Sequence, residues 1–103
     1  MPRMFSTQTM EESTMSQALI EGAISATGYL HVKHGMQVVD GTRYTPYDIV
    51  ISPKDERGSV AFALPQGITA RIEVYAERNG PMVLDKEVTI PRQDRVPLVD
   101  LLK

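Results

Sequence analysis

The stretch GSVAFALPQG (residues 58–67) decides the fold. Val60, Phe62 and Leu64 alternate in it with small side chains. Successive side chains of a β-strand point to opposite faces, so this alternation predicts a strand with one apolar face and one face of small residues. Pro65 lacks the backbone N–H that a sheet requires and ends the strand, and the glycine two residues later turns the chain.

The chain after residue 26 repeats this pattern of short alternating runs separated by turn residues. Asp40-Gly41 is typical of a turn between two of these runs. About six or seven short strands, with turns roughly every 8–12 residues and no convincing internal helix, predict an all-β fold, a small antiparallel Ig-like β-sandwich. The predicted strands are Gly28–Lys33, Met36–Val39, Tyr47–Ile51, Gly58–Leu64, Ala70–Glu77, Met82–Ile90 and Val96–Leu102.

The last two long strands are predicted to form a hairpin whose register follows from the apolar pattern. A two-residue Asn-Gly turn would place Val74 opposite Asp85 and mix core and solvent faces. A three-residue Arg-Asn-Gly loop instead pairs Val74 with Leu84 and Ala76 with Met82. We therefore expect the three-residue loop.

The first 25 residues differ from the rest because they are rich in methionine, serine, threonine, glutamine and glutamate. We expect residues 1–25 to form an N-terminal arm, either extended or as a short helix over Thr9–Ile24, and residues 26–103 to form the β-sandwich domain. In the helical alternative, Met15 and Leu19 share one face. Methionine fills irregular apolar grooves, so the arm suits docking onto a neighbouring subunit.

Charge and composition exclude several classes of function. The chain has 11 basic and 13 acidic residues and a net charge of −2, without a cluster of Lys and Arg. Binding to nucleic acid or to anionic lipid is therefore not expected. The absence of cysteine excludes disulfides, thiolate zinc sites and thiol nucleophiles. No apolar run has the length of a signal-peptide core or a membrane span, so we expect synthesis in the cytoplasm without membrane insertion.

The sequence predicts no catalytic, cofactor-binding or metal-binding residue. His31 and His34 are three residues apart in one strand and therefore point to opposite faces. Glu73 and Asp85 could face each other as paired carboxylates, but they would lie on a flat outer face, where solvated charge is the simpler interpretation. We expect a protein that is not an enzyme and needs no cofactor or metal.

Tyr44, Pro46 and Tyr47 form a compact aromatic group just before a strand. Such a group could stack on a sugar or anchor a protein partner. The preferred alternative places Tyr47 in the core and Tyr44 over one end of the sandwich. The residues expected to bind partners are Met1, Met4, Phe5, Met10, Met15, Leu19, Tyr44, Tyr47, Leu98, Leu101 and Leu102.

The run from Tyr47 to Leu102 resembles the Ig-like, transthyretin-like modules of bacteriophage virion proteins, which occur in head decoration or cement proteins and in fibre-anchoring domains. The motifs that carry the resemblance are Gly-x-Val-x-Phe-x-Leu-Pro (residues 58–65), Ile72 with Val74, Val-Thr-Ile-Pro (residues 88–91) and LVDLL (residues 98–102).

This resemblance implies a non-enzymatic virion structural protein, made in the host cytoplasm. Such a capsid decoration, cement, head–tail or fibre-anchoring subunit would bind neighbouring virion proteins through its N-terminal arm and sheet edges, as part of a homo-oligomer or multi-copy assembly. The alternative function is a carbohydrate-binding or adhesion module that uses Tyr44, Tyr47 and Tyr75.

Overall fold

A computed structural model describes residues 17–103. This part of the chain is mostly β, which confirms the predicted all-β class. Its elements are β1 (Gln17–Ala23), β2 (Tyr29–His34), β3 (Gln37–Val39), β4 (Thr42–Tyr44), β5 (Tyr47–Ile51), β6 (Ser59–Pro65), β7 (Thr69–Tyr75), β8 (Met82–Thr89), β9 (Arg95–Pro97) and the helical turn α1 (Leu98–Leu101).

The strands form two larger sheets that face each other as a small sandwich. One sheet has the order β6-β1-β9, the other has the order β5-β2-β7-β8, and β3 with β4 makes a separate hairpin. All described pairs are antiparallel except β1 with β9, which run parallel. The predicted antiparallel character therefore holds for every pair but this one.

A single apolar core joins the two larger sheets, because side chains from both lie in one buried cluster. Strand β6 contributes Val60, Phe62 and Leu64, as its alternation predicts, while Ala61 and Ala63 point away from the core and are exposed. Full burial of one large apolar side chain contributes about 1.5–3 kcal/mol. The largest fully buried side chains are Ile20, Leu30, Leu64, Ile68, Ile72, Ile90, Leu98, Val32 and Val96.

Strand β1 corrects the prediction for the N-terminal segment. Gln17–Ala23 lies between β6 and β9, and Ala18 and Ile20 are fully buried. The helical alternative is therefore wrong for this stretch, which belongs to the sandwich and not to a projecting arm. An extended chain directs both residues into the core, whereas a helix would place them on different sides. The remaining residues of the expected arm, 1–16, lie outside the described residues.

The C-terminal segment departs from the predicted strand Val96–Leu102. The chain is extended only over β9 and then forms α1. Leu98 and Leu101 are three residues apart, so one helical turn carries both into the core, where each is buried. The predicted strand is therefore wrong here, and Leu98 and Leu101 are core residues whose role in partner binding stays a prediction. Leu102 also packs partly against the core.

The β7–β8 hairpin confirms most of the predicted register. Val74 pairs with Leu84, and Ile72 pairs with Lys86. A bulge follows Val74, so Met82 pairs with Tyr75 and not with Ala76. The bulge adds a residue to β8 at its exposed end, where the apolar pattern no longer constrains the register.

The predicted turn between β3 and β4 is confirmed, because Asp40 and Gly41 both have positive φ (52° and 79°). Two such residues give the type I′ geometry that suits a tight hairpin. The return strand β4, which the sequence analysis did not predict, has only three residues.

Gly58 holds the start of β6 close to the end of β1. Its φ is +82°, and a Cβ atom there would lie 1.7 Å from the carbonyl oxygen of Ile24. The Ile24 N–H donates a hydrogen bond of 2.8 Å to the Gly58 carbonyl. Only glycine combines this φ with so close an approach of two backbones.

Candidate functional site

The outer strands of the two sheets differ in how their unpaired backbone groups are protected. Natural proteins protect sheet edges with short strands, charges, prolines or bulges, since an open edge can pair with another chain. β9 has three residues and ends at Pro97. β8 carries a bulge and Lys86, and β5 carries Asp48 and lies between Pro46 and Pro53.

Strand β6 has none of these protections. It is seven residues long, has no charged side chain and shows no bulge in its pairing with β1, and its only proline is its last residue. Among residues 17–103, it is the edge best suited to accept another strand.

The hydrogen-bonding groups along the open side of β6 can be assigned. The bond from Ile24 N–H to the Gly58 carbonyl shows that even-numbered residues of this strand direct their backbone groups to β1. Odd-numbered residues therefore face the open side. Ser59 is satisfied there, because its N–H donates to Asp55 Oδ1 (3.1 Å) and its carbonyl accepts from Lys54 (2.9 Å).

Ala61 and Ala63 have no backbone partner on the open side within the described part of the chain. Both side chains are exposed and small, so they leave room for a second strand. Leu19 lies beside Ala63 in the register of β1 with β6 and is half-buried on the same outer face. The predicted binding residue Leu19 therefore lies next to the open edge, although it belongs to a strand and not to an arm.

A groove runs beside the C-terminal half of β6. Tyr47 is 38% exposed there, and its ring stacks on the ring of His34 with 5.5 Å between centroids. Tyr44 is half-buried and packs against the core. The preferred prediction is wrong for Tyr47, which belongs to the surface, because it precedes Ile49 and Ile51, the partly buried residues of β5. The groove is lined by Gln17, His34, Tyr44, Thr45, Tyr47, Ala63, Leu64 and Pro65.

The outer face of the four-stranded sheet carries a second candidate, centred on Glu73. This carboxylate is 8% exposed and contacts Lys33 Nζ (3.2 Å), His31 Nδ1 (3.1 Å) and the Tyr75 hydroxyl (3.2 Å). Burial raises the pKa of Glu73, but the hydrogen bond and charge of Lys33 and the hydrogen bonds of His31 and Tyr75 outweigh it. The pKa therefore lies below its ordinary value.

The groups around Glu73 are bonded to one another. The other ring nitrogen of His31 contacts Asp48, and Arg71 binds both carboxylate oxygens of Asp85 (2.7 and 2.8 Å). Burial, followed by the neighbouring Glu73 carboxylate, raises the pKa of Tyr75, whose ring stacks on Tyr29. The arrangement links β5, β2, β7 and β8 across the sheet face.

Glu73 does lie opposite Asp85, as the hairpin register predicts, but it is not the solvated charge that the alternation suggests. The structure buries it instead. The burial of Glu73 could have been predicted from His31 and Lys33, which alternate on one face of β2. That prediction needs the pairing of β2 with β7, which cannot be derived from one sequence.

The remaining polar candidates stay separate. His31 and His34 take different partners, Glu73 and Asp48 for the first and Tyr47 for the second. The backbone N–H groups of Ser59 and Arg57 donate to Asp55 and hold the pKa of this carboxyl below its ordinary value, which stabilises the turn before β6. Among residues 17–103, no three His, Asp or Glu side chains are grouped so that they could hold a metal ion.

Within residues 17–103, no helix has the length and apolar character required to cross a membrane. No protein-family model matches the chain, and no curated protein shows significant sequence similarity to it.

Proposed function

We propose that the protein is a non-enzymatic structural subunit that binds neighbouring protein subunits through its sheet edges. The observation that carries this proposal is the open side of β6, where the backbone groups of Ala61 and Ala63 have no partner among residues 17–103. A strand added to such an edge gains main-chain hydrogen bonds, and the side chains beside the edge give specificity. Leu19 and Tyr47 are the neighbouring side chains that a partner would contact.

The charged face of the other sheet supports a structural role. Glu73 is held by Lys33, His31 and Tyr75, and Asp85 is held by Arg71. A general acid or base needs access to a reacting group in a pocket. These carboxylates instead join neighbouring strands of the sheet and strengthen the body that carries the edge.

The assembly that we propose is a bacteriophage virion, in which the protein acts as a decoration, cement, head–tail or fibre-anchoring subunit. The support is the resemblance of residues 47–102 to virion modules, together with a small β-sandwich and an edge suited to assembly. Many copies on one particle would bind firmly even where each contact is weak.

Particle composition tests this function directly. Virions produced from a genome that encodes the chain should contain it in many copies by quantitative mass spectrometry. The double variant Ala61→Lys/Ala63→Lys should be incorporated less than a control with the same added charge away from β6, Val83→Lys/Val99→Lys. Virions that contain none of the wild-type chain would overturn the virion assignment, and equal incorporation of both variants would overturn the role of β6.

A carbohydrate-binding module is the second candidate, and the exposure of Tyr47 in the groove favours it. Sugars stack on exposed aromatic faces. Tyr75 is less suited, because its ring stacks on Tyr29 and its hydroxyl is bonded to Glu73. Binding on a glycan array that Tyr47→Ala abolishes and Tyr75→Ala preserves would support this function, and an array without binding would contradict it.

A further inference from the structure

We infer that the open edge of β6 pairs with the same edge of a second copy of this chain, in an antiparallel arrangement about a two-fold axis through Phe62. This inference rests on the proposed function and names its partner. A two-fold interface uses one surface patch twice, so the patch must be complementary to itself. β6 meets this condition in its hydrogen bonding, its side chains and its charges.

The hydrogen-bonding pattern determines the register. The backbone groups on the open side that lack a partner in the described part of the chain belong to Ala61 and Ala63, which lie one residue on either side of Phe62. A two-fold axis at Phe62 therefore places Ala61 of each copy opposite Ala63 of the other. Both residues direct N–H and C=O to the open side, so each Ala61–Ala63 pair exchanges two hydrogen bonds, as hydrogen-bonded antiparallel pairs do.

The side chains allow this pairing. On the outer face, Ala61 meets Ala63, and both are small and exposed. On the inner face, the two Phe62 residues face each other, and Val60 meets Leu64. The apolar layer beneath each sheet thus continues across the axis, and a continuous six-stranded sheet, β9-β1-β6 from each copy, results.

The charges also agree with a symmetric pair. Strand β6 has no charged residue, so no like charges oppose each other along it. Beyond its ends, the turn before β6 carries Lys54, Asp55, Glu56 and Arg57, whose formal charges cancel. Near the other end, Arg92 is paired with Asp40 of its own chain, so this end adds no unpaired charge from Arg92 to the interface.

The other edges cannot form an equivalent pair. A two-fold pair of β8 would bring its bulge and Lys86 into the new interface. β5 would contribute Asp48 twice, and β9 has three residues. β6 is thus the edge among the described strands whose geometry and charge allow self-pairing.

Opposite-charge variants test the register. In Ala61→Lys/Ala63→Lys, each new lysine faces a lysine of the other copy, and directly opposed like charges destabilise a sheet. We expect the wild-type chain to sediment as a dimer and this variant as a monomer. Ala61→Glu/Ala63→Glu should also be monomeric, and an equimolar mixture of the two variants should restore the dimer mass. The control Val83→Lys/Val99→Lys should remain a dimer.

Amide hydrogen exchange gives a second measurement. The Ala61 and Ala63 amides should be protected in the wild-type dimer and lose that protection in the lysine variant, while the amides of Val60 and Phe62, which bond to β1, stay protected in both. This comparison also shows that the variant is folded.

Several results would overturn the inference. They are a wild-type chain that is monomeric at the highest soluble concentration, a mixture of the charged variants that stays monomeric, and rapid exchange at Ala61 and Ala63 in a dimer. Loss of the dimer in the full-length variant Met4→Ser/Phe5→Ser/Met10→Ser would show that the N-terminal segment is the occupant. A chain that is monomeric but present in virions would refute self-pairing and leave the proposed function intact. A chain that is dimeric but absent from virions would refute the virion function and leave self-pairing intact.

Discussion

Replacement of Gly58 by alanine should destabilise the protein more than its small size suggests. The new Cβ atom would lie 1.7 Å from the Ile24 carbonyl oxygen, far inside van der Waals contact. A backbone atom cannot rotate away as a side chain can, so the end of β1 or the start of β6 must move. That movement breaks the 2.8 Å hydrogen bond from the Ile24 N–H to the Gly58 carbonyl.

The magnitude follows from three contributions. Alanine at a φ of +82° costs about 1–2 kcal/mol, and a lost backbone hydrogen bond costs about 0.5–1.5 kcal/mol. Alanine also restricts the unfolded chain, which returns about 0.4–1 kcal/mol. These contributions together lower the free energy of unfolding of Gly58→Ala by about 0.5–3 kcal/mol, and the displacement of β1 adds to this loss.

Gly41→Ala is the matched control. Gly41 has nearly the same φ, +79°, but an added Cβ would meet nothing within 4 Å. Its cost is then the backbone conformation alone, about 1 kcal/mol or less. Urea denaturation followed by circular dichroism gives both free energies, provided that the slope with urea is unchanged. A Gly58→Ala protein as stable as the Gly41→Ala protein would refute the close approach of the two backbones.

Three further predictions concern the core and the charged face. Ile20→Ala should lower the free energy of unfolding by about 2–5 kcal/mol in urea denaturation, because it removes a fully buried side chain. The exposed control Glu21→Ala should have little effect, and equal effects of the two variants would contradict the position of β1. The pKa of Glu73 is lowered in the folded state, so its stabilisation is present above its ordinary value of 4.5 and is lost as the pH falls through the lower folded value. Thermal melts between about pH 7 and 3 should therefore show a loss of stability that is smaller in Glu73→Gln, and identical pH profiles would refute the contribution of this carboxylate. A double-mutant cycle on Arg71 and Asp85 in the same urea assay should give a coupling of about 0.2–1 kcal/mol because the pair is partly exposed, and no coupling would show that the ion pair does not form in solution.

Period-two alternation predicted much of the fold, because half-buried strands must show it. Val60, Phe62 and Leu64 occupy the core as expected, and the pairing of Val74 with Leu84 follows from the same pattern. Local pattern failed where tertiary contacts decide. In β1, Leu19 interrupts the alternation of Ala18 and Ile20 with polar residues, so the strand also fits a helical period.

The candidate sites were predicted less well than the fold. Tyr44 and Tyr47 do lie together, beside strand β6. The local sequence pattern of β6 does not show that this strand lies at the edge of its sheet. Whether a strand is central or at an edge depends on the order of strands in the sheet, and the burial of Glu73 depends on the neighbours that this order supplies. The segment from Leu98 to Leu101 reads as part of a strand in the sequence, because one helical turn is too short to be recognised from its period.

The position of β1 between β6 and β9 also bears on how the chain folds as it is made. The ribosome synthesises β1 first among the described strands, yet its parallel neighbour, Arg95–Pro97, comes almost at the end of the same stretch. Until those residues emerge, one side of β1 stays open in the nascent chain, even if β6 has already joined it. Completion of the three-stranded sheet must therefore follow translation of the last strand, and during that interval the unfinished sheet depends on its own chain, or on a chaperone, to avoid pairing with a neighbour.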